Sequence, residues 1–183
     1  MMLGMSLATL TMVHVIISLI AIAAGLVVMF GMLGSNRMPG LTAIFLLFTI
    51  LTSATGFVIP PLLSEKLLPS HIIGILSLVL LAIACIALYV MKLAGPWRWI
   101  YVLTALISLY LNVFVLVIQS FLKIPALTAL APGNPPSGPV FAVAQGIVLV
   151  FFAIMIIGVW RRFRPVSSGR SASFRARETR VPE

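Results

Sequence analysis

Two histidines, His14 and His71, are the residues of this chain best suited to chemistry. Each stands in or beside an apolar run, where an ionisable side chain marks a functional site by default. Two imidazoles from two helices can supply both axial ligands of a b-type haem. With Met5 and Met12 close by, the same residues would also suit copper(I), which prefers soft thioether sulfur. A second group is uncharged. Thr104, Ser108, Asn112 and Gln119 recur at spacings of 4, 4 and 7, so they share one helix face. Gln145 and Ser18, the latter four positions after His14, complete a candidate pocket with Asn112 and Gln119. Such groups would hold a small neutral or weakly polar solute by hydrogen bonds. Equally, Ser, Thr, Asn and Gln join transmembrane helices, each bond contributing about 0.6–2 kcal/mol.

Three readings therefore stand. The first is a haem-binding redox module built on His14 and His71. The second is a transporter or channel for a small polar solute, lined by Ser18, Asn112, Gln119 and Gln145. The third is an accessory or structural subunit, with the polar stripe as an interface to a larger complex or a second copy. Enzymatic catalysis has little support. The sequence has no GxSxG elbow, no HExxH, no P-loop and no glycine-rich dinucleotide fingerprint. It has no Asp, and only three Glu, of which Glu65 adjoins Lys66. The single cysteine, Cys85, cannot form an internal disulfide or a paired metal site.

Membrane spans must carry these residues. The chain has 183 residues, 62% of them hydrophobic and 8% charged. Soluble domains carry about a quarter charged residues, so an ordinary soluble fold is excluded. A bilayer core of about 30 Å takes about 20 apolar residues in a helix. Five stretches meet that length, near 9–33, 41–60, 70–91, 99–120 and 139–160, none with an interior charge. The expectation is an all-α bundle of five transmembrane helices over residues 1–164. Breaks fall at Gly34–Gly40, Pro60-Pro61, Gly95-Pro96 and Pro125–Pro139. Segment one contains Ala21-Ile22-Ala23, a loose cleavage signal. No Lys or Arg precedes it and the run continues to Leu33, so it reads as a retained helix. The Ser- and Arg-rich stretch 165–183 reads as a disordered basic tail.

Charge sets the expected orientation. Arg37, Lys92, Arg98 and seven arginines from Arg161 onward lie on one side, ten in all, against Lys66 and Lys123 on the other. The positive-inside rule then predicts the N-terminus outside and the C-terminus in the cytoplasm. The formal charge of +9 is a topology signal and a contact for anionic lipid; it is not spread as a nucleic-acid footprint. Trp97, Trp99 and Trp160 fall at the basic helix ends, as an interfacial belt does. His14 precedes Pro39, and His71 precedes Pro96, by the same 25 positions. That spacing hints at two hairpins repeated in one orientation, with a fifth helix added.

Three segments carry a resemblance: Leu111-Asn112-Val113-Phe114 through Gln119-Ser120-Phe121-Leu122-Lys123-Ile124-Pro125-Ala126-Leu127, His71-Ile72-Ile73-Gly74-Ile75-Leu76-Ser77-Leu78, and Gly95-Pro96-Trp97-Arg98-Trp99-Ile100-Tyr101. Together they resemble a group of small uncharacterised multi-pass inner-membrane proteins of proteobacteria, over roughly residues 10–164. The resemblance implies a bacterial inner membrane as the location. It implies no activity and no functional residues.

Overall fold

The structure, a computed structural model, describes residues 6–58 and 69–164. Met5, the Pro60-Pro61 break, Glu65, Lys66 and the tail beyond Arg164 lie outside the described residues. Within them the secondary structure is entirely helical: α1 (Leu7–Leu33), α2 (Pro39–Val58), α3 (Pro69–Cys85, continued by a π-helical turn over Ile86–Val90), α4 (Trp97–Lys123), α5 (Pro125–Leu130) and α6 (Pro139–Arg162). Five of these are long and apolar enough to cross a membrane. α5 is a single short helix where the sequence promised only a break.

Local chemistry accounts for the ends. Ser6 caps α1 by accepting the Thr9 amide at 3.2 Å, satisfying one donor that a helix start leaves free. α5 and α6 open on Pro125 and Pro139, whose fixed φ and missing N–H suit the first helical position. The turn after α3 is the least regular. Lys92 and Leu93 both take positive φ, 50° and 60°, and the Leu93 amide reaches back to the Ala87 carbonyl at 3.0 Å. That reversal turns Leu93 into the core, and its apolar burial offsets a backbone conformation that is unfavourable for a side chain with a Cβ.

α1, α2, α3 and α4 form an up-and-down bundle. α1 packs along α2, α2 along α3, and α3 along α4, while α6 seats against α4 and α1. The two hairpins, α1–α2 and α3–α4, are therefore present as packed pairs. α1 and α4 are the most enclosed spans, and α6 the least. The core runs through Val28, Met29, Phe45, Leu81, Tyr101, Val102, Leu106 and Leu109. Gly25 is the point of closest approach. A Cβ there would stand 2.5 Å from Leu109 Cδ1 and 2.8 Å from Phe45 Cδ2. Only the missing side chain lets α1 lie this near α2 and α4.

One end of the bundle carries the Gly34–Met38 and Met91–Pro96 turns and the end of α6. Ser35 ties the first of these turns to the end of α6: its hydroxyl donates to the Arg162 carbonyl at 2.6 Å and accepts the Arg164 amide at 3.3 Å. This end is called the turn end below; the other, which holds both histidines, is the histidine end.

Candidate functional site

His14 sits on α1, about two turns from its start. Its Nδ1 lies 2.7 Å from Thr55 Oγ1 on α2. The Thr55 hydroxyl also lies 2.7 Å from the Leu51 carbonyl. A hydroxyl has one proton, and the carbonyl can only accept. The Thr55 proton thus goes to Leu51, and the proton between His14 and Thr55 belongs to the imidazole. This assignment from the network leaves Nε2 of His14 with a bare lone pair. Gly56 lies beside the ring, where a Cβ would come 3.6 Å from His14 Cε1. Thr55 and Gly56 belong to the Thr/Ser/Gly cluster of α2 visible in the sequence, but nothing in that cluster singled out Thr55 as the partner.

His71 is held differently. Its ring stacks on Phe57 with centroids 5.7 Å apart and planes at 18°. Phe57 also fills the space beside Gly74, one turn further along α3. Both histidines therefore lean on the last turn of α2, at Thr55 and Phe57. Positions two apart point about 200° apart round a helix. The imidazoles meet opposite sides of α2 and do not converge on a common centre.

The amides form a separate group. Gln145 Nε2 on α6 donates to the Phe114 carbonyl of α4 at 3.1 Å, a direct join between the two helices. Its Oε1 is buried with no hydrogen-bond partner among the described residues, as is Nδ2 of Asn112. Ser77 Oγ on α3, 2% exposed, is unpartnered in the same way. Gln119 is exposed and makes no described hydrogen bond, although it shares the stripe of Asn112. The upper part of that stripe is internal: Thr104 and Ser108 are buried and donate to the carbonyls of Ile100 and Thr104 on their own helix. Ser18 likewise donates to its own helix, at Val15, over 2.8 Å.

Depth separates the groups further. Gly25 and Leu109 are level, so 11 residues of α1 put His14 ~16.5 Å toward the histidine end, while 5 residues of α4 put Phe114 only ~7.5 Å that way. The Gln145–Phe114 join thus lies ~9 Å deeper than His14. His14 and the pocket residue Gln145 stand at two levels and at two helix interfaces.

Inside this region the intramembrane polar groups fall into three kinds. Some bond their own helix: Ser18, Thr49, Thr52, Thr104, Ser108 and Ser120. His14 and Gln145 join neighbouring helices. Ser77, Asn112 and the Gln145 carbonyl oxygen have atoms left over. No group of three or more His, Cys, Asp or Glu residues placed to hold a metal ion occurs among the described residues. No family model, no curated protein and no solved structure matches the chain.

Proposed function

We propose that the protein is an integral inner-membrane protein of bacteria serving as an accessory or structural subunit of a membrane complex, with its N-terminus outside and its C-terminus in the cytoplasm. The observation that carries this reading is the use of the polar side chains. His14 bonds Thr55 across α1 and α2, and Gln145 bonds Phe114 across α4 and α6, the role such residues take when they fasten transmembrane helices; the hydroxyls mostly satisfy themselves on their own helices. The orientation is supported by the ten-to-two distribution of Lys and Arg. α6 offers the largest uncovered span, with Val143, Ile147, Val150 and Ile154 all more than half exposed.

The test is purification of the full chain from bacterial membranes in a mild detergent, followed by native mass and a reduced-minus-oxidised absorption spectrum. A subunit role predicts co-purification with other membrane chains, or with further copies, at fixed stoichiometry. A monomer showing a b-type haem band that His14→Ala and His71→Ala each abolish would overturn it.

A second reading, binding of a small neutral polar solute, is favoured by one observation. Asn112 Nδ2, Gln145 Oε1 and Ser77 Oγ are buried and have no partner among the described residues, and a buried polar atom ordinarily has a partner, whether protein, water or ligand.

A further inference from the structure

Arg98 stands in the first turn of α4, at the turn end of the bundle. Its guanidinium carbon lies 3.9 Å from the centroid of the Trp99 ring. Nε is buried and has no hydrogen-bond partner among the described residues. Among the described residues no carboxylate pairs with it: the chain has no Asp, and its three Glu lie outside them. A partly buried guanidinium with no counter-charge among the described residues suits an anion from outside them.

The surroundings say which kind. Trp99 stacks on Trp160 of α6, centroids 5.5 Å apart and planes at 30°. Trp160 is 46% exposed, and Arg161 and Arg162 follow it in the exposed last turn of α6. Ser35 fastens the turn that carries Arg37 to the carbonyl of Arg162. The start of α4 adds the positive end of its helix dipole. Below the tryptophan pair, toward the bilayer centre, α6 exposes Ile157 and Ile154. The site thus has donors above, an indole platform at the interfacial level and bare aliphatic surface beneath. That sequence of layers matches a phospholipid, whose phosphate precedes its acyl chains. A free anion would have no use for the lower two.

We propose that Arg98, held over the Trp99 ring of the Trp99–Trp160 pair, binds the phosphate of an anionic membrane phospholipid whose acyl chains lie along α6. The guanidinium fork can meet two phosphate oxygens at once, and Arg161, which follows Trp160 in the exposed last turn of α6, adds positive charge that favours a net negative headgroup. This lipid contact is independent of the role given to the bundle above, and it is distinct from any made by the arginines beyond Arg164.

The test uses the full chain in nanodiscs of phosphatidylcholine containing a minor fraction of phosphatidylglycerol. Native mass spectrometry counts the retained phosphatidylglycerol in the wild-type protein, R98Q and R98K. We expect retention to fall about tenfold in R98Q, with R98K between the two, equivalent to about 1.4 kcal/mol for the lost charge-assisted contact. Equal retention in wild type and R98Q overturns the proposal and assigns any lipid preference to the other arginines. Displacement of the lipid by millimolar inorganic phosphate at fixed ionic strength would also overturn it, in favour of a free-anion site. Should R98Q fail to fold, the wild type decides alone. Brominated phosphatidylglycerol should quench tryptophan fluorescence more strongly than brominated phosphatidylcholine at the same mole fraction, and equal quenching contradicts the site.

Discussion

Gly25→Ala should loosen the centre of the bundle by an amount the geometry fixes. The added Cβ would stand 2.5 Å from Leu109 Cδ1 and 2.8 and 2.9 Å from Phe45 Cδ2 and Cε2. Carbon atoms in contact rest at about 3.5–4.0 Å, so α1 must move away by about 1 Å or its neighbours must yield. They have nowhere to go: Leu109 and Phe45 are both 0% exposed. Forcing a methyl into such a core costs about 1–3 kcal/mol. Alanine recovers part of that through helix propensity, at most about 1 kcal/mol, so a control is needed. Gly146 lies on α6, where an added methyl would meet nothing within 4 Å, and Gly146→Ala carries the propensity gain without the clash. Reversible unfolding in bicelles, followed by steric trapping, should therefore separate the two variants by about 1–3 kcal/mol, with Gly25→Ala the weaker. Equal stability of the two would refute the close approach of α1, α2 and α4.

Other expectations follow from the polar groups. Asn112→Leu removes a buried Nδ2 that has no partner among the described residues and should stabilise the protein by roughly 1 kcal/mol in the same unfolding assay; a loss of stability would show that the amide has a bound partner. Gln145→Leu breaks the 3.1 Å join to Phe114 and should speed hydrogen exchange in α6 relative to α1, whereas uniform exchange would count against the join. Ser35→Ala releases both the Arg162 carbonyl and the Arg164 amide, and should raise exchange at the end of α6 while leaving its start unchanged.

Much of the architecture was legible in the sequence because length and apolar purity decide it. The five spans appear within a few residues of where the apolar runs put them, and Pro39, Pro125 and Pro139 open helices as their fixed φ requires. The π-helical turn and the positive φ of Lys92 and Leu93 were not legible, because they are imposed by burying Leu93 and not by any local preference of Met91-Lys92-Leu93. The candidate site was legible only as a set of residue types. Helical spacing placed Asn112 and Gln119 on one face, but which part of that face is covered depends on how the neighbouring helices pack, and Gln119 is left exposed. Depth was equally hidden. His14 and Gln145 each stand near the start of a span, yet α1 and α6 are offset along the bundle, so ~9 Å separates their levels. The Trp99–Trp160 stack shows the reverse: a belt read from composition became a specific platform through the pairing of α4 with α6.

If the intramembrane polar side chains serve to fasten helices, the His14–Thr55 bond must carry energy of its own. A double-mutant cycle of His14→Ala and Thr55→Ala, measured by reversible unfolding of the full chain in bicelles, should give a coupling energy of about 0.6–1.7 kcal/mol, with no spectral band and no bound solute lost in either variant. Coupling indistinguishable from zero, accompanied by loss of a bound chromophore or solute in His14→Ala, would overturn the fastening role and make His14 a ligand.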